Sequence, residues 1–237
     1  MGDASRLAAQ GGTIISHAPL RVHWTLRLAL KIVTLSVPSL AVGLTLFVAW
    51  TMRDTPLTWF DGVLSPPRQP DLYPSTWLTA GHAIVPVVFL ITNLVNRRYG
   101  DDDTIAHILL SWAFAVFATV AILYRFDPRL PFAGEVPNLR IAFAFLGAMV
   151  LGQLAGAWVF EQVRGVVWWK APLQSALTSS FVAMFLFYPL AYLGTDWGWP
   201  NRMAVDAGVK AAMSFALLGP YWLLRPIVRP SAGLGGF

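Results

Sequence analysis

The amino-acid sequence predicts an all-α integral membrane protein, a bundle of about six transmembrane helices with both termini in the cytoplasm. Three observations carry this expectation. Of the 237 residues, 56% are hydrophobic and only 12% are charged, where a soluble domain has about 25% charged residues. The apolar residues gather into blocks of about 20, the length that crosses a hydrocarbon core roughly 30 Å thick. Lys and Arg are unevenly divided between the two sets of segments that join the blocks.

The first block spans residues 28–50 and carries no charge from 32 onward. That is too long for the apolar core of a secretory signal, about 7–15 residues, so it reads as a helix that stays in the bilayer. The second block is 77–95. The third, 105–124, is interrupted only by His107, and the fourth, 141–160, has no charge at all. The fifth is 171–195. The sixth, 203–224, differs from the rest in carrying Asp206 and Lys210. None of the blocks alternates with the period of two that strands of a membrane barrel require. Helices are then the remaining way to satisfy backbone groups in lipid. Pro38, Pro86, Pro189 and Pro220 fall inside blocks. Membrane helices tolerate them where neighbours re-satisfy the freed groups, so they read first as packing geometry and second as hinges or cavity walls.

Orientation is set by the connecting segments. With the N-terminus inside, inner segments hold ten basic residues: Arg6, Arg21, Arg27, Lys31, Arg97, Arg98, Arg164, Lys170, Arg225 and Arg229. Outer segments hold six: Arg53, Arg68, Arg125, Arg129, Arg140 and Arg202. The excess of basic residues marks the cytoplasmic side. Trp24, Trp50, Trp77, Trp168, Trp169, Trp197, Trp199 and Trp222 lie at or near block ends, as an interfacial aromatic belt would place them. The domain expected is a single six-helix unit over 28–227. A mobile basic segment, 1–27, precedes it, and a short tail, 228–237, completes the chain. The longest connection, 51–76, is rich in proline and polar residues and is expected outside.

Charges inside a span cost about 2.5–3.5 kcal/mol each on insertion scales and are functional candidates by default. Asp206 and Lys210 stand four apart, on one helix face. They suit either a self-neutralising pair or a pair facing a polar cavity. Asn93 and Gln153 are the deeper amides. Each can donate and accept, which fits a neighbouring helix or the edge of a heterocycle. His82, His107 and Thr178–Ser180 are further polar groups within spans. Gly152 and Gly156 form a small-xxx-small pattern that lets helices approach closely, within the bundle or with a partner protein. Asp101, Asp102 and Asp103 open the third helix, where carboxylates complement the helix dipole. The chain has no cysteine, which excludes disulfides and thiolate sites. It shows no metal-protease signature, phosphate-binding loop or nucleophile elbow. No enzyme activity, cofactor, metal or nucleic-acid partner is expected.

Several segments together resemble the vitamin uptake transporter family, whose characterised members are queuosine precursor transporters. They are Val85 to Leu94 with Arg98-Tyr99-Gly100; Arg140-Ile141-Ala142 with Leu151-Gly152-Gln153 and Val159-Phe160; Trp168-Trp169 with Ala171-Pro172; and Val205-Asp206 with Lys210 and Pro220. The resemblance covers roughly residues 84–227. It implies a multi-pass protein of the bacterial inner membrane and a flat, polar deazapurine solute. Gln153, Asp206 and Lys210 match polar positions of the family and are the implied solute contacts, with Asn93 standing where members usually carry Asp. Gly156 also replaces a usual Asp, and Ser180 and Ala183 align with a usual Asn and Asp. The expectation is therefore a transporter-like protein whose solute binding is weakened or lost. The alternative is an accessory subunit of a larger membrane complex, with a protein partner in the bilayer.

Overall fold

The computed structural model describes residues 24–61, 73–134, 136–196 and 198–231. Six helices in it are long and apolar enough to cross a membrane, and no strand occurs among the described residues. The spans are α1 (Trp24–Thr51), α2 (Ala80–Tyr99), α3 (Asp101–Ala118), α4 (Asn138–Val163), α5 (Lys170–Tyr192) and α6 (Trp199–Ala216). A short α7 (Leu218–Leu224) completes the sixth. The chain is a multi-pass, all-helical membrane protein.

Where the helices begin and end differently from the apolar blocks, local chemistry is the reason. α1 starts at Trp24, so residues 24–27 belong to a helix; residues 1–23 and 232–237 lie outside the described residues. α2 starts at Ala80, because Pro74–Trp77 forms a separate short turn and Thr79 is the α2 cap. The Thr79 N–H donates to His82 Nδ1 at 3.2 Å, and the Thr79 hydroxyl meets the same nitrogen at 2.8 Å. α3 reaches back to Asp101, with all three aspartates in its first turn and Gly100 as the capping residue. Asp103 also pairs with Lys31 of α1 at 2.7 Å. The last turns of α3 widen into π geometry over Thr119–Tyr124. The sixth span breaks at Leu217 because Pro220 has no N–H for the Ala216 carbonyl and its ring crowds that oxygen.

The packing makes α2 central: it touches α1, α3, α4, α5 and α6. Gly100 alone joins α2 to α3, at φ 86°, a left-handed conformation that favours glycine. The most extensive contact is between α4 and α5, and glycines set it. A Cβ built on Gly152 would stand 2.6 Å from the Ser179 carbonyl oxygen. One built on Gly156 would overlap the Ser179 hydroxyl and lie 2.8 Å from the Ser175 carbonyl oxygen. The small-xxx-small face is thus used inside the bundle. Between α1 and α3, Ser39 Oγ meets His107 Nδ1 at 2.9 Å, fully buried. An even number of spans puts the start of α1 and the end of α7 at one end of the bundle.

Candidate functional site

At the other end, α1, α2, α4, α5 and α6 converge around a cavity of about 590 Å³. Met149 and Ala183 are its deepest lining residues on α4 and α5. Five aromatic side chains line it: Trp50, Phe145, Phe187, Tyr188 and Tyr192. Their rings lean on one another. Phe145 lies 6.2 Å from Trp50 and 6.0 Å from Phe187. Phe187 lies 5.2 Å from Tyr188 and 5.9 Å from Tyr192, both nearly edge-on. Edge-to-face geometry is what the ring quadrupole favours. Arg53 lies over Trp50, 4.1 Å from the ring centroid, and is held by Asp54 at 3.1 Å and Asn138 at 2.8 Å.

The polar side of the cavity belongs to α6. Lys210 Nζ donates to Asp206 Oδ2 at 2.6 Å, and the two residues are only 7% and 1% exposed. Asp206 Oδ1 is buried without a hydrogen-bond partner, and so is Trp50 Nε1. Both atoms are sealed within the cavity wall rather than exposed on it. His82 of α2 lines the same space. A backbone N–H can only donate, so the Thr79 contact makes His82 Nδ1 an acceptor and leaves the ring proton on Nε2. That nitrogen lies 3.4 Å from the Tyr188 hydroxyl, which in turn interacts with Asp206.

The four residues singled out from sequence divide into two pairs. Asp206 and Lys210 line the cavity; Asn93 and Gln153 do not. Gln153 sits one turn beyond Met149 and is completely buried. Its Oε1 accepts from Trp112 Nε1 at 2.7 Å, and its Nε2 donates to Thr92 Oγ1 at 3.2 Å. It thereby ties α4 to α3 and α2. Asn93 donates to the Pro172 carbonyl at 3.0 Å and accepts from Ser175 Oγ at 2.7 Å, tying α2 to α5. Both amides are satisfied by protein. Ala183 lines the cavity, whereas Gly156 lies in the α4–α5 contact. Gln153→Leu is expected to strand the Trp112 indole N–H in the core. That costs about 1–3 kcal/mol, read as a lowered melting temperature in detergent.

The aromatic wall is not evident from the sequence. Trp50 stands at a block end, where an interfacial anchor is expected, but it is 7% exposed and faces the cavity. The available signal was the run of α5, in which Phe187, Tyr188 and Tyr192 fall at i, i+1 and i+5 near the same helix end as Trp50 of α1.

The far end of the bundle is tied together by arginines. Arg164 donates to the carbonyl oxygens of Asn96 at 2.8 Å and Arg97 at 3.3 Å, and also pairs with Glu161. Arg97 donates to the Val228 carbonyl at 3.2 Å, and Arg98 to that of Arg229 at 3.2 Å. The segment after α7 is thereby drawn across the end of α2.

Residues 79–224, the stretch from the α2 cap to the last residue of α7, match the protein family described as "Putative vitamin uptake transporter". Over 125 residues the chain is 30% identical to a protein of Haemophilus influenzae described as "Probable queuosine precursor transporter". The aligned stretch is 50% of this chain and 52% of that one, so the chain spans about half the length of the curated relative it matches. No solved structure matches.

Proposed function

Because this chain belongs to the vitamin uptake transporter family, we propose that it carries a small planar heterocycle, a queuosine precursor or related deazapurine, across a bacterial inner membrane. The observation that carries this reading is a cavity towards one end of the bundle, walled by five aromatic rings with a buried ion pair on one side. Its volume falls within the roughly 300–1,000 Å³ of small-molecule sites. Aromatic walls take up a flat ring by stacking and edge contact. The Lys210 ammonium, which has N–H donors beyond the one given to Asp206, suits a carbonyl or ring nitrogen on the edge of the solute. Asp206 and Lys210 are the solute contacts in this reading. Asn93 and Gln153 hold α2, α3, α4 and α5 together beneath the cavity, at one remove from the solute.

The ten-to-six distribution of basic residues supports a cytoplasmic position for the Arg97 and Arg164 end and an outward position for the cavity. In this reading the solute enters from outside, and release requires the Arg97 and Arg164 contacts to part. The alternative of an accessory subunit draws on the Gly152/Gly156 face, which packs against α5.

The test is rescue. Cells unable to make queuosine precursors are given one in the medium, and queuosine in their tRNA is measured. Expression of this chain is expected to restore the modification, and absence of restoration removes the transport reading. Phe187→Ala, which takes away the ring that Phe145, Tyr188 and Tyr192 lean on, should lower initial uptake about tenfold, the loss of one or two ring contacts of about 0.5–1.5 kcal/mol each. Uptake unchanged by that substitution would place the solute elsewhere.

A further inference from the structure

Resting on that transport reading, we propose that the chamber selects its solute by charge: it admits a planar heterocycle that is uncharged and discriminates against the same ring bearing a protonated amine.

The first ground is the balance of charge on the wall. Among the described lining residues, Arg53, Arg202 and Lys210 are basic, and Asp54 and Asp206 are acidic. The two carboxylates are not equally placed. The Asp54 side chain is 83% exposed, so its charge is screened by solvent. Asp206 is buried beside Lys210. Away from the solvent, one carboxylate is therefore set against Lys210, Arg53 and Arg202. His82 adds no charge, since its Nδ1 accepts from the Thr79 N–H.

The second ground is that both carboxylates are already committed. Asp206 Oδ2 accepts from Lys210 at 2.6 Å, the Tyr188 hydroxyl hydrogen-bonds the same carboxylate, and Oδ1 is sealed in the wall. Asp54 is paired with Arg53 at 3.1 Å. The Asn138 amide oxygen, a further acceptor on the wall, receives Arg53 as well, at 2.8 Å. Aromatic rings can hold a cation over their faces, and tryptophan does so best. Trp50 already carries Arg53, 4.1 Å from its ring centroid. What the wall has to spare is donors, because Lys210 gives one N–H to Asp206 and has others.

An uncharged planar solute meets this wall without conflict. Its ring takes the aromatic contacts, and a carbonyl or ring nitrogen on its edge accepts from the Lys210 ammonium. A protonated amine on the same ring gives up its water on entering and meets no uncommitted carboxylate in exchange. Burying an unpaired charge is costly, and like charges held where water is scarce add to that cost. A discrimination of about tenfold needs only about 1.4 kcal/mol from the two together.

The test uses the full chain in proteoliposomes at neutral pH and two labelled deazapurines of near-equal size. One carries a hydroxymethyl group and is uncharged. The other carries an aminomethyl group at the same position and is cationic. Counterflow of each compound against itself is measured without any gradient, at low concentration. The hydroxymethyl compound is expected to exchange about tenfold faster. If neither compound exchanges, the transport reading is removed and this inference with it. A ratio near one, or one in favour of the amine, overturns the inference and leaves the transport reading standing. Arg202→Gln removes one positive charge and keeps a polar side chain, so it should narrow the ratio to about threefold, whatever partner Arg202 now has. Both rates come from one preparation, so their ratio does not depend on how much of the variant folds. A ratio unchanged by this substitution means that selection is not by charge and also overturns the inference. Should the variant fail to fold, the two compounds compared on the unsubstituted chain decide alone.

Discussion

Lys210→Met should abolish uptake and lower the melting temperature in detergent by roughly 10 °C. The substitution keeps the length and apolar stem of the side chain, so packing is nearly preserved. What it removes is the counter-ion of a carboxylate that is 1% exposed and whose other oxygen already lacks a partner. Breaking a buried pair by removing one member costs about 3–5 kcal/mol, and in a chain of this size each kcal/mol shifts the midpoint by about 2–4 °C. Replacing both members, Asp206→Leu with Lys210→Met, removes the uncompensated charge, and a well-packed apolar pair is often neutral or stabilising. The double variant should therefore regain stability without regaining uptake. Thermal melting of the two variants, measured alongside uptake, separates the roles. If Lys210→Met melts like the unsubstituted chain, the pair is not buried as described. If the double variant transports, the pair has no part in carriage.

Gly156→Leu should give little or no folded protein. A Cβ at this position overlaps the Ser179 hydroxyl and crowds the Ser175 carbonyl oxygen at 2.8 Å. A hydroxyl can rotate away, but the carbonyl is helix backbone and moves only if α4 and α5 separate. Overpacking a tight core costs about 1–3 kcal/mol and occasionally more, and this contact is the most extensive in the bundle. Gly147→Leu on the same helix is the control, since a Cβ there meets nothing within 4 Å. Size-exclusion profiles in detergent should show Gly147→Leu running as a single species and Gly156→Leu aggregated or absent. Equal profiles would mean that α4 and α5 do not pack face to face as described.

How much of the molecule is legible in its sequence depends on the kind of signal. The six spans are legible because hydrocarbon thickness imposes a length on apolar runs, and nothing local needs to be known to count them. Their ends are less so. Thr79 and Pro220 end or break helices by hydrogen bonding and ring sterics, which do not change hydropathy. Asp206 and Lys210 stand out because charge is scarce in a span, and their spacing is enough to pair them. Asn93 and Gln153 stand out for the same reason, but polarity does not say which partner an amide finds. The partners are Pro172, Ser175, Trp112 and Thr92, up to 82 residues away in the chain. Trp50 is hidden for the opposite reason. A tryptophan at a helix end looks the same in sequence whether it faces headgroups or a cavity.

The α1 helix lies outside the stretch that matches the family, residues 79–224, yet it supplies Trp50 to the wall of the chamber, with Arg53 just past its end. Part of the chamber surface therefore comes from outside the segment that defines membership. Substitutions at Trp50 or Arg53 would reshape the chamber while the α2–α7 scaffold, with its glycine seam and amide ties, stays in place.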